Sequence, residues 1–586
     1  MNTTRTDPVD VAVIRARFSS ICNEMGETML RTSRSPIFSE ARDFTTAVFD
    51  HNIELVAQTV YIPNIAAATP FAARAIAERF AGDVHEGDMF VLNDPYRGNN
   101  HPPDLNVMKP VFHRGQLRFW VLSKGHQADM GGGGVVGYNP EARDAWEDAL
   151  RIPCLRIADR GVIRDDVLDF ILLNVRARDL VEGDVHCQIG AVNLGERRLH
   201  TLLEQYGREK ISAAITEILD ATERRVRADI AAIPDGRYCA ERALDHDGID
   251  LDRSPVVRLA LEVKGEQITF DYSDSDPQSV GYINSSVANT NAMSHLALFA
   301  TSAISNDIRF NAGAVRPLSI VAPEGSIVNA AEPAPTALCT VSVGEVMIEV
   351  TWLALAQVIP EKVPAIWGRW CAPATMGINP RTGRFFADIH FMSKGGGGAI
   401  HGCDGWNHLG TPVTLGGLRA PDPELHELVT PYQVTSYEME PDSAGPGKWR
   451  GGFGVRYAFH VAGDNIACAN FGSGARASTA PVGIAGGEGS APHVMYVEHA
   501  GGSREELDCN RMYTFNSGDT VTIVSSGGAG YGSALERNPD LVLADVRDGL
   551  VSVEQARDRY GVAIVSGNKL SDYHIDIEAT RSLRSV

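Results

Sequence analysis

Two adjacent prolines in His101-Pro102-Pro103-Asp104 constrain this chain more than any other stretch. Proline has no amide donor and its ring clashes with the preceding turn, so no helix runs through these four residues. A Pro-Pro pair favours an extended, polyproline-like chain of about three residues per turn, in which residues three apart share a face. His101 and Asp104 are therefore expected to point the same way from a stiff backbone. Beyond them, residues 107–112 and 117–123 read as two short strands turned about His113-Arg114-Gly115-Gln116. Pro110 makes the first an edge strand. A hairpin brings its outer ends together, so His101, Asp104 and His126 are expected to converge at one end. Two imidazoles with a carboxylate suit zinc, manganese or iron(II) better than calcium or magnesium, which prefer oxygen alone. The competing reading is a surface loop whose histidine and aspartate bind nothing. In that reading the four glycines 131–134, after His126-Gln127-Ala128-Asp129, only turn the chain.

Size and charge narrow the function classes. A chain of 586 residues, 44% hydrophobic, has room for roughly two to four domains. Lys+Arg is 53 against Asp+Glu 74, a net charge of -21, which argues against a nucleic-acid or anionic-membrane surface. The nine cysteines are scattered without a C-x-x-C pair, so neither a disulfide framework nor a thiolate zinc site is indicated. MNTTRTDPVD lacks the apolar core of a secretory signal. The apolar run 341–360 is broken by Glu345 and Glu349, so no membrane span is expected and the cytoplasm is the expected location.

The fold class expected is mixed α+β: an N-terminal α/β metal-binding domain, then a strand- and glycine-rich C-terminal region. Asp7-Pro8 starts a helix that reaches about Arg31, with Val11, Ile14, Phe18, Ile21, Met25 and Thr28 or Met29 on one face. Strands are expected at 44–49, 53–58 and 89–92, and helices at 70–80, 140–150, 165–175, 193–206 and 212–233. Pro234-Asp235-Gly236 marks a boundary, giving residues 1–235 as the first domain and 236–369 as a mixed α+β middle domain. The latter carries strands at 256–263 and 267–272 and helices at 289–305 and 345–357. Residues 370–537 form a β-rich, glycine-rich domain and 538–586 a helical tail. The glycine clusters there fit neither a phosphate loop nor a strand-GxGxxG-helix unit and read as turns and close backbone contacts. No G-x-S-x-G elbow and no Cys/His pairing supports nucleophilic catalysis.

Several stretches, in order along nearly the whole chain, resemble the hydantoinase B family. They are residues 31–50, 92–112 (LNDPYRGNNHPPDLNVMKPVF), 125–132 (GHQADMGG), 174–176, 183–188, 315–329, 437–454 and 527–552. Relatives in that family include the B part of 5-oxoprolinase, caprolactamase, N-methylhydantoinase, and subunits of acetone and acetophenone carboxylases. The resemblance implies a metal held by Asp43, His101, Asp104 and His126. Asp129 and Asp94 are candidate outer partners that would orient these ligands. It implies an ATP-dependent cyclic amide hydrolase acting on a lactam, hydantoin or 5-oxoproline-type ring. A hydantoinase A-type subunit would bind ATP and phosphorylate the substrate carbonyl, in an (αβ)2 hetero-tetramer. Metal-activated water, on zinc first and manganese or iron next, would then attack that carbon. Glu438 or His186 is a candidate proton shuttle. The alternative is the metal-binding subunit of an acetone- or acetophenone-type carboxylase, and a third reading makes the metal a staple in a scaffold. The chain departs from the family pattern at Asn99, Asn100 and Gln127, residues expected to line the substrate pocket.

Overall fold

A computed structural model describes residues 7–585. Asp7 caps the first helix, Pro8–Thr32, by accepting the amide of Val9. Ile14, Phe18, Ile21, Met25 and Met29 are all buried, as their spacing implies.

That helix lies on a seven-stranded antiparallel sheet built from β1 (Phe44–Asp50), β2 (Leu55–Gln58), β3 (Met89–Leu92), β4 (Asp104–His113), β5 (Gln116–His126), β6 (Leu155–Asp159) and β7 (Val162–Ile163), in the order β2-β1-β5-β4-β3-β6-β7. Both faces are covered. Phe44, Val48, Val107 and Val121 pack with the helices Pro8–Thr32 and Arg178–Tyr206. Their sequence neighbours Ala47, Phe49, Met108, Trp120 and Leu122 pack with Ala72, Ala73 and Ile76 of the helix Pro63–Arg79. This alternation holds from Asp104 to Val111 of β4 and from Phe119 to His126 of β5; a bulge at Val111 and Phe112 breaks it toward the turn, where Leu117 packs with the second group.

Three local expectations are corrected. β4 lies between β5 and β3, so Pro110 is not on an edge; the β3 ladder ends at Met108, and the donor that proline lacks falls beyond it. His101 to Asp104 forms a turn instead of a polyproline segment, with the Asp104 amide donating to the His101 carbonyl at 3.3 Å. Between residues 140 and 150 only Ala145–Asp148 is helical; Ala149 is extended and the Leu150 amide donates to the Met130 carbonyl at 2.7 Å instead of to a preceding turn.

A second sheet, β11-β10-β9-β8, joins β8 (Gly236–Ala243), β9 (Val256–Lys264), β10 (Gln267–Asp271) and β11 (Leu318–Val321). The helices Val287–Phe299 and Val343–Leu355 pack with it and with each other. Downstream, β12 (Cys371–Asn379), β13 (Arg384–Ile389), β16 (Ile466–Gly472) and β19 (Arg511–Phe515) form one sheet. β14 (Tyr432–Met439), β15 (Val455–Val461), β17 (Val494–Glu498), β18 (Arg504–Glu506) and β20 (Thr520–Val524) form another. We propose 1–235, 236–369, 370–537 and 538–586 as folding units; one apolar cluster nevertheless runs through the first three.

The glycine-rich segments pack backbone on backbone. Gly452 donates to Gly397, Gly528 to Gly452, and Gly445 to Gly528, at 2.8, 2.9 and 2.8 Å. A Cβ on Gly452 would fall on the Trp406 carbonyl, and one on Gly528 on that of Gly397. Close approach, not turn-making alone, requires glycine here. Among the described residues no helix is long and apolar enough to cross a membrane.

Candidate metal centre

Face parity brings the site together. Asp104 opens β4 and His126 closes β5 as direct cross-strand partners, and the His126 amide donates to the Asp43 carbonyl at 3.1 Å. Asp43, Asp104, Lys124 and His126 therefore share one face at one end of three neighbouring strands. Arg42, with φ of 61°, turns the chain into β1 and sets Asp43 at its mouth.

His101, Asp104 and His126 form a compact group whose donor atoms lie within 4.8 Å of one another. They are 2%, 0% and 2% exposed. His101 Nε2 is 2.8 Å from Asp104 Oδ1, and His126 Nδ1 is 3.6 Å from it. His101 Nδ1 donates to the Ala337 carbonyl at 2.8 Å, which turns Nε2 toward the group. Asp104 Oδ2 and His126 Nε2 are buried without a hydrogen-bond partner. Buried polar atoms are rarely left unpaired, and a cation beside these two would supply what is missing. The residues present thus fit a divalent ion. Asp43 adjoins the group; burial pushes its carboxyl up to about 7, against the pull of His126 and with a further push from Asp104.

The site is also electrostatically poised. Burial alone would raise Asp104, but His101, His126 and Lys124 outweigh it and hold the carboxyl well below the usual range. Lys124 is fully buried, 3.7 Å from Asp104 Oδ2 and 2.5 Å from Asn100 Oδ1. Burial pulls its ammonium down to about 8, with Asp104 opposing. Tyr138 lies beside His126, ring centroids 5.7 Å apart, and stacks on Phe471 of β16 at 4.3 Å. Burial, with Asp43 and Asp104, keeps its phenol protonated.

The loop carrying His101 is held from outside the N-terminal segment. Ser286 Oγ, at the cap of the helix Val287–Phe299, donates to the Asn100 carbonyl at 2.7 Å. Asn99 is a hub: its amide reaches the carbonyls of Asn93, His101 and Asp104 at 2.8, 2.7 and 2.8 Å. Asn99 is thus part of the scaffold of the turn. Gln127 has the opposite parity from His126, and its amide bonds Gln188 at 3.0 Å, away from the site.

The expected outer partners are elsewhere. Asp129 is claimed by Arg176, whose guanidinium donates to it at 2.7 Å, and by the backbone of Gly131. Asp94 caps Tyr96 and bonds Arg151 at 2.8 Å. Glu438 is exposed on β14 with Ser436 as its partner, and His186 is exposed on the helix Arg178–Tyr206. Neither is placed as a proton shuttle. Sequence reasoning missed Lys124, Tyr138 and the Ala337 carbonyl. Strand alternation from His126 would have found Lys124.

The family model for Hydantoinase B/oxoprolinase matches residues 7–534. The chain belongs to the hydantoinase B/oxoprolinase family. The beta chain of caprolactamase from Pseudomonas jessenii is 35% identical over 98% of this family member and 98% of its own length. The B-type chain of a putative D-/L-hydantoinase from a Pseudomonas species is 30% identical over 99% and 98%. Among solved structures, the ATP-dependent caprolactamase from Pseudomonas jessenii superposes with a TM-score of 0.91 at 34% identity, over all of both chains. Nucleotide-free acetone carboxylase gives 0.89 at 19% identity over 99% and 82%, a likeness of fold alone.

Proposed function

We propose that this chain is the metal-binding subunit of an ATP-dependent cyclic amide hydrolase, acting on a lactam, hydantoin or 5-oxoproline-type ring. The observation that carries the reading is the buried His101-Asp104-His126 group with its two orphaned donor atoms, in a chain 35% identical to one component of a caprolactamase. An ion, zinc first by the donor set, would be held by these three residues, with Asp43 proposed as the fourth ligand. When bound it supplies Lewis acidity toward an oxygen of substrate or water. The protein's own groups do the rest. His101 is oriented by Ala337, Lys124 offers a positive charge beside Asp104, and Tyr138 offers a phenolic proton. The burial of His101, Asp104 and His126 keeps bulk water from their side of the centre.

Small-ring amides reclose readily, so ring opening needs coupling. The reading assigns ATP to a hydantoinase A-type partner in an (αβ)2 assembly in the cytoplasm. The test is co-purification with such a partner and assay of ATP-dependent opening of lactams, hydantoins and 5-oxoproline. ATP-dependent ring opening that disappears in His101→Ala supports the proposal. Incorporation of labelled bicarbonate into a ketone, without amide opening, replaces it with the carboxylase alternative. Full activity of a folded, metal-free His101→Ala complex would leave only a scaffold.

A further inference from the structure

A second group of similar chemistry lies within the C-terminal sheets. Asp388 near the end of β13 and His390 just beyond it are two residues apart and share a face. Phe386, on the same face, belongs to an apolar cluster with Tyr432, Tyr457 and Phe459 from the other sheet. His426 enters from the short helix Pro423–Val429. Asp388, His390 and His426 are 5%, 0% and 3% exposed.

Asp388 Oδ2 stands 3.7 Å from Nε2 of both His390 and His426. That is too long for a hydrogen bond. Oδ2 of Asp388 and Nε2 of His426 are buried without partners. Among the described residues, Asp388 has no ion-pairing group but these imidazoles. His390 is oriented through Nδ1, 3.2 Å from the Tyr457 hydroxyl, while its Nε2 has a 3.2 Å contact with Thr375 Oγ1 that a bound ion would replace. Its ring stacks on Phe459 at 4.4 Å. Donors about 2.0–2.1 Å from one ion sit roughly 3.3–3.6 Å apart, close to the 3.7 Å between Asp388 Oδ2 and each imidazole.

We propose that Asp388, His390 and His426 form a second divalent-metal site, zinc by its donors, that ties β13 to the helix carrying His426. It is separate from the centre at His101 and does not depend on the function proposed above.

The test counts metal. Full-length chain is stripped with chelator, reloaded with zinc chloride, desalted and measured for bound zinc. Wild type is expected to hold two equivalents. A variant carrying His101→Ala and Asp104→Asn is expected to keep one, and one carrying Asp388→Asn and His426→Gln to lose the other with a lowered melting temperature. Cobalt(II) loaded into the first variant, whose C-terminal sheets are unaltered, should show visible d–d bands that vanish when Asp388→Asn and His426→Gln are added. No bound metal and no cobalt bands in that variant would overturn the proposal, as would two equivalents surviving the changes at Asp388 and His426.

Discussion

Asp104 is the pivot of the proposed centre, and Asp104→Asn tests it with almost no change of volume. The carboxylate faces His101 at 2.8 Å, His126 at 3.6 Å and Lys124 at 3.7 Å. Structural zinc binds with about 10–16 kcal/mol; shared over four ligands, each contributes roughly 2.5–4 kcal/mol, or about 10²–10³-fold in Kd. The same change strips a buried lysine of its counter-charge, and breaking a buried pair typically costs about 3–5 kcal/mol. Lys124, already drawn down to about 8, can shed its proton instead, so the loss of stability should fall at the low end of that range. The assay is competition for zinc against a chromophoric chelator at pH 7.5, with a melting curve alongside. Gln127→Ala is the control: it adjoins His126 in sequence but faces the helix Arg178–Tyr206, and should leave Kd within about threefold by strand parity. If Asp104→Asn also stays within about threefold, Asp104 is not a ligand and the shared-face argument fails.

Two predictions concern stability. His295 is buried, and burial holds its imidazole down to about 4 from 6.5. The unfolded chain therefore takes up this proton first as pH falls, so stability is intact above about pH 6.5 and is lost toward pH 4, by about 3 kcal/mol for this group. His295→Leu should remove that part of the acid sensitivity in urea unfolding at the two pH values; an unchanged difference would show that His295 is not neutral in the folded state. In the glycine-rich layer, Gly452→Ala sets a methyl against the Trp406 carbonyl, which cannot withdraw. It should lower the melting temperature by about 1–3 °C, from an overpacking cost of about 1–3 kcal/mol against an unfolding entropy of roughly 1.2 kcal/mol/K for a chain of this size; a wild-type melting curve would mean that those backbones are not in contact.

Much of this was readable from local pattern. Asp7-Pro8 and the apolar spacing up to Met29 specify the first helix because capping and amphipathicity act within a few residues. Pro70 reads as a helix start, yet the helix begins at Pro63, and tertiary packing of its alanines carries it through the internal proline. The two imidazoles and Asp104 were visible because a hairpin must bring its ends together. What failed depends on distant chain. The Pro-Pro segment closes into a turn because Asn99 bonds the carbonyls at both of its ends. Asp129 looks like a partner for the site until Arg176 is seen to claim it. The Ala337 carbonyl that orients His101 arrives from 236 residues away, and nothing local announces it.

The most direct measurement is anomalous diffraction at the metal absorption edge from crystals of the chain as purified. The account predicts a peak within bonding distance of His101 Nε2, an Asp104 carboxylate oxygen and a His126 ring nitrogen, with the Asp43 carboxylate as fourth neighbour. Clear density for all four side chains with no anomalous signal among them, in an enzyme that still opens its amide with ATP, would contradict it.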